Sequence, residues 1–207
     1  MTAEAALRPR LVRRAMLLEV AVILYNVLEG AVSIVAGVLA GSVALIGFGL
    51  DSAIEVSASI AVLSHLWLNR DDEALEWERR VAMFVGVTLL LLAIYVGAQA
   101  VYDLVAASEP EESYLGIGIA ALSLIVMPFV SRKEHSLSHE IGSRSLEAES
   151  RETLMCTYLS AALLLGLGAN ALFGWWWADP IAALVIVGFL VKEGWEALTR
   201  RELCCVD

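Results

Sequence analysis

The chain has 207 residues, 59% of them hydrophobic and only 18% charged, with a net charge of −10 and a mean hydropathy of +0.73. Soluble domains run nearer half apolar and a quarter charged, so the composition points to a bilayer rather than to water. The acidic balance excludes nucleic acid as a partner, which would need a basic face. The apolar content excludes a disordered acidic chain.

A spanning helix needs about 20 mostly apolar residues. Applied along the chain, that length predicts an all-α, polytopic membrane protein with six transmembrane helices, over about residues 16–39, 43–66, 81–106, 114–130, 152–173 and 180–198. The first apolar run is too long for a signal-peptide core and is read as retained. A tight turn at Ala40-Gly41-Ser42 follows it. The next joint, NRDDEALEWERR from Asn69, is strongly charged; SEPEES from Ser108 is acidic, and the stretch from Ser131 to Ser150 reads as a polar joint. Residues 1–207 are expected to form one transmembrane domain with no soluble module attached. Cys156, Cys204 and Cys205 make no disulfide framework.

All basic residues fall on one side of this topology. Arg8 to Arg14 precede the first helix, Arg70 to Arg80 lie between the second and third, Arg132 to Arg151 between the fourth and fifth, and Lys192, Arg200 and Arg201 near the end. The opposite joints carry no Lys or Arg. This predicts a multi-pass protein of the cytoplasmic (inner) membrane with both termini in the cytoplasm. Trp175, Trp176 and Trp177 suit an aromatic belt at the outer interface.

An acidic side chain inside a bilayer is costly and normally faces a partner or a cavity. The second helix carries Asp51 and Glu55 in GLDSAIEVSAS, and the fifth carries Glu152 and Cys156 in RETLMCTYLS. Each pair is spaced i, i+4, on one helical face. Counting at 1.5 Å per residue puts Asp51 and Glu55 roughly 14 and 20 Å below the outer end of their helix, and Cys156 roughly 26 Å below the outer end of its own. Glu55 and Cys156 are therefore expected near one level. Two antiparallel helices with two ligands each would form a four-ligand cage of carboxylate and thiolate, suited to zinc or cadmium. Taken alone, Cys156 reads as a small buried hydrophobe. Two carboxylates on one intramembrane face, by contrast, need a cation between them, a metal ion or a proton. Gly47, Gly49, Ser52, Ala53 and Ser57 around them permit close helix approach.

Glu29 and Asn26 in the first helix are candidates for lining a transport path, alongside interhelical hydrogen bonding by Asp103 and Gln99. His135 and His139, spaced i, i+4 in the polar joint, would collect metal on the cytoplasmic side if helical, against the plainer reading of a solvated loop. Asp179, before Pro180, reads as a helix N-cap.

Three strings, YNVLEGAVSIVAG, AGSVALIGFGLDSAIEVSASI and WWADPIAALVIVGFLVKEGWEAL, give the chain its resemblance to the cation diffusion facilitator family of zinc and cadmium exporters, over about residues 15–200. The resemblance implies six membrane helices, a homodimer, and a metal site from i, i+4 pairs on helices two and five. By position those are Asp51 with Glu55 and Glu152 with Cys156. Glu stands at 55 where the family usually has Asp, and Glu and Cys stand on helix five in place of His and Asp. The family usually adds a cytoplasmic C-terminal domain, and this chain is expected to lack one. The implied activity is efflux of Zn2+ or Cd2+ as transported substrate in exchange for protons, by alternating access, with no resident cofactor. An enzyme is not expected, because no nucleophile–base pair or helical HExxH motif appears. The alternative is a non-transporting assembly or sensor subunit whose intramembrane acids stabilise helix packing.

Overall fold

A computed structural model describes the backbone of residues 3–68, 71–108 and 110–199. Cys204 and Cys205 lie outside the described residues. Among the described residues six helices follow in order: α1 Ala3–Ala40, α2 Val43–Leu68, α3 Asp71–Ala106, α4 Tyr114–Ile141, α5 Arg144–Phe173 and α6 Ala178–Thr199. Five contain a stretch long and apolar enough to cross a membrane: Pro9–Ala40, Val43–Ser64, Gly86–Ala106, Tyr114–Ile141 and Ser145–Phe173. α6 differs because Asp179, Lys192, Glu193 and Glu196 interrupt its apolar run.

The helices outrun the expected spans at the ends that carry the basic residues. The polar joint expected over residues 131–150 is largely helical, and the α4–α5 connection shrinks to Gly142 and Ser143. Gly142 takes the left-handed conformation (φ 70°) and its N–H donates to Ser138 O, while the Ser143 hydroxyl accepts from Leu146 N. A glycine C-cap beside a serine N-cap lets both helices run to the corner without orphaned backbone groups. Hydropathy measures only the length that crosses lipid; a polar helix continues into water with i, i+4 support, here Arg151 to Glu147 at 2.6 Å.

The bundle is built from three antiparallel pairs, α1·α2, α4·α5 and α3·α6, and α2 also packs on α3, α5 and α6. Two of these pairs close on glycine. A Cβ at Gly49 would lie 3.0 Å from Gly30 O and 2.9 Å from Ile34 N, so α1 and α2 touch backbone to backbone. Gly86 and Gly194 do the same for α3 and α6, each 3.0 Å from the other's carbonyl oxygen.

The surface is apolar and the interior partly polar, the reverse of a soluble domain. Leu24, Leu28, Leu39, Ile94, Val105, Leu165 and Leu172 are 62–83% exposed, whereas Glu19, Glu29 and Glu134 are wholly enclosed. Leu45, Phe48, Val96, Leu159, Leu163, Ile186 and Leu190 fill the core between them.

Candidate functional site

The close approach of α1 and α2 at Gly30 and Gly49 sets the position of the residue beside Gly30. Glu29 is fully buried, and its carboxylate accepts from Tyr25 OH at 3.1 Å and from Ser52 Oγ at 3.0 Å. One turn of α2 further along stands Glu55, 9% exposed, whose Oε2 has no hydrogen-bond partner among the described residues. Cys156, a free and buried thiol, faces them from α5. Ligand atoms of Glu29, Glu55 and Cys156 lie within 4.8 Å of one another. Ligands around one tetrahedral ion sit roughly 3.5 Å apart, so small side-chain adjustments would close this group on a metal.

Glu55 also belongs to a second set. Asp51, Glu55, Glu152 and Glu193, with Ile54 and Leu89, line a small cavity of ≈ 10 Å³ between α2, α3, α5 and α6. That is on the order of one water-sized sphere. Asp51 is 3% exposed, and Glu193 Oε1 is buried without a hydrogen-bond partner among the described residues. Glu55 is thus shared between a group containing sulfur and an all-oxygen group. The four residues expected from the spacing of helices two and five are distributed over both: Asp51 and Glu152 line the cavity, and Cys156 lies with Glu29.

Glu193 was not singled out in the sequence, where it follows Lys192 at the end of an apolar run. Gly194 beside it packs on Gly86, which holds this stretch of α6 inside the bundle. Asn26, expected along a path, is 1% exposed on α1, with Oδ1 unpartnered among the described residues. Gln99 donates to Asp103 at 3.2 Å. Both line a larger cavity of ≈ 460 Å³ near the α1–α2 turn, with Gly41, Tyr95 and Pro110.

His135 and His139 lie on α4 rather than in a loop, both exposed, with ring centroids 4.6 Å apart and edge-on. They join no three-ligand group among the described residues. The side chain of His65 lies outside the described residues.

Asp179 differs from its expected role. It sits inside the first turn of α6 rather than ahead of it, and its carboxylate accepts from Ser42 Oγ at 2.5 Å and Ala44 N at 3.5 Å. Ser42 Oγ in turn accepts from Leu45 N. Asp179 therefore completes the N-terminus of α2 across the bundle, where a negative charge meets the exposed N–H groups.

Residues 20–200 match the family described as the cation efflux transmembrane domain. Among curated relatives, an uncharacterised transporter of Methanocaldococcus jannaschii is 24% identical over 83% of this chain and 62% of its own length. A manganese efflux system protein of Bacillus subtilis is 24% identical over 91% of this chain and 67% of its own. A cation-efflux pump of Shewanella oneidensis is 26% identical over 83% and 62%. The chain therefore spans about two thirds of the length of these relatives. A helical bundle with buried carboxylates and a thiol at its centre and a family match along most of its length lead to one conclusion: the chain is a multi-pass membrane protein of the cation efflux transmembrane domain family.

Proposed function

We propose that this protein exports a divalent metal cation, zinc or cadmium, in exchange for protons. The observation that carries the reading is the enclosed group of Glu29, Glu55 and Cys156 with donor atoms within 4.8 Å, adjoining Asp51 and Glu152. Carboxylates desolvated together repel one another, and a doubly charged ion between them relieves that repulsion. One relative is named for manganese, a hard ion suited to oxygen ligands. The Cys156 thiolate moves the preference of this chain towards softer ions.

Exchange follows from the same chemistry. The thiol and the carboxylic acids must lose their protons to bind the ion, so protons and metal compete for one set of atoms. Binding on the high-pH side and release on the low-pH side then drive export by alternating access. Six crossings suit this reading, with α6 inside the bundle through its glycine contact to α3. So do an inner-membrane location with both termini cytoplasmic, from the one-sided basic residues, and a homodimer.

Transport by the purified chain in proteoliposomes tests the proposal. Zn2+ or Cd2+ flux should follow an imposed pH gradient, and each displaced proton should make apparent affinity fall about tenfold per unit of acidification. Flux indifferent to the gradient removes the exchange mechanism. Absence of flux in the wild type, with Asp51→Ala altering only helix association, would favour a non-transporting subunit.

A further inference from the structure

Ser123 of α4 carries a hydroxyl that its own helix does not use. Serine and threonine inside an α-helix commonly donate to the carbonyl four residues earlier, and this chain follows that habit. Ser57 donates to Ala53 O at 3.3 Å, Ser64 to Ile60 O at 2.7 Å, Thr88 to Phe84 O at 2.8 Å and Ser160 to Cys156 O at 2.7 Å. Ser123 departs from it. It is 0% exposed, and its Oγ has no hydrogen-bond partner among the described residues.

Its place in the bundle sets what that hydroxyl meets. The buried face of α4 runs through Gly116, Ala120, Ser123 and Met127, and α4 packs on both α1 and α5. The Ser123 side chain interacts with Tyr25 and Glu29 of α1 and with Cys156 of α5, without closing a hydrogen bond to any of them. Glu29 and Cys156 belong to the group, with Glu55, whose ligand atoms lie within 4.8 Å of one another. Ser123 thus brings a fourth helix to a group otherwise drawn from α1, α2 and α5.

A buried hydroxyl left unsatisfied is costly, and Glu29 does not need this one, since it already accepts from Tyr25 OH and Ser52 Oγ. A tetrahedral ion takes four donors, and Glu29, Glu55 and Cys156 supply three. All three are anionic when they bind, and together they already exceed the charge of a divalent ion. Another carboxylate would add negative charge where little solvent relieves it. A neutral hydroxyl fills the position without charge and without a further proton to displace. It has two lone pairs and one proton, so it can face an ion and donate to a carboxylate at once.

We infer that the Ser123 hydroxyl is the fourth donor to the ion held by Glu29, Glu55 and Cys156. The inference rests on the metal-export reading and deepens it, closing the coordination with a neutral oxygen from α4.

Metal–thiolate absorption of the full chain in detergent tests it, with Co2+ as the probe and with Cys204→Ser and Cys205→Ser removing the other two thiols. Each thiolate on the ion contributes charge-transfer intensity. Adding Ser123→Cys to that background should roughly double the intensity per bound ion, because the new thiolate takes the fourth position of the tetrahedron. Unchanged intensity overturns the inference and leaves the export reading standing. A background that binds no Co2+, or binds it without a thiolate band, takes Cys156 out of the site and sinks the inference together with the reading beneath it. Should Ser123→Cys not fold, Ser123→Ala decides: its Cd2+ affinity should fall about tenfold, while Ser64→Ala should bind as wild type. Wild-type affinity in Ser123→Ala overturns the inference.

Discussion

Ser52 on α2 donates a hydrogen bond of 3.0 Å to Oε2 of Glu29 on α1, and this contact ties a carboxylate of the first helix to the acidic face of the second. Both residues are fully buried. The bond exists because Gly30 and Gly49 allow the two backbones to touch. It orients Glu29 towards Glu55 and Cys156 and supplies a hydroxyl that also reaches Phe48 O at 3.1 Å.

Ser52→Ala should therefore weaken Cd2+ binding without unfolding the bundle. Partners that orient a metal ligand are typically worth 10- to 100-fold in affinity, and the lower part of that range, about tenfold, is expected because Tyr25 still holds Glu29. Ser57→Ala, whose hydroxyl donates to Ala53 O of its own helix and to nothing else among the described residues, should bind as wild type. Calorimetric titration of the two variants side by side makes the comparison; equal affinities would detach Glu29 from the site.

Cys156→Ser should change which ion is moved more than how much the protein can move. A hydroxyl of similar size replaces a soft donor by a hard one, so Cd2+ and Zn2+ transport should fall by about tenfold or more relative to Mn2+. Competition between Cd2+ and Mn2+ in proteoliposomes reads the ratio directly. An unchanged ratio would mean that the sulfur packs as a hydrophobe and binds nothing.

Gly49→Ala should lower stability. The added Cβ would sit 2.8 to 3.0 Å from Ile34 and from Gly30 O, and two of those contacts are backbone atoms that cannot rotate away. Overpacking of this kind costs about 1–3 kcal/mol. At Gly118, where a Cβ meets nothing within 4 Å, alanine should be neutral or stabilise the helix by up to about 1 kcal/mol. Thermal unfolding in detergent should separate the two variants in opposite directions.

Asp179→Ala should destabilise α2 rather than α6. It removes the acceptor for Ser42 Oγ and Ala44 N, and loss of a capping side chain costs about 0.5–2 kcal/mol. Hydrogen exchange should rise first at the amides of residues 43–46. Faster exchange confined to the start of α6 would contradict the cross-bundle role.

Much of the architecture was legible because lipid imposes a simple rule. A crossing segment must be apolar and must satisfy its own backbone, so helices and their order follow from hydropathy alone. The same rule marked Asp51 and Glu55 as unusual, since each is an acid within an apolar run. It failed for Glu134 and Glu149, because their polar neighbours ended the predicted spans at residues 130 and 152 and left both in a loop. In the folded chain α4 and α5 continue past them and enclose both.

By itself the sequence determined which side chains share a helical face and roughly how deep each lies, because the helix period and rise are constants of the backbone. It could not determine which neighbour each face meets. Glu29 beside Cys156, Glu193 beside Asp51, and Asp179 capping a helix more than a hundred residues away depend on rotations and crossings that glycine contacts and core packing set between helices distant in the chain. Those choices belong to the tertiary structure, since the energy that decides them arises only when the helices are already side by side.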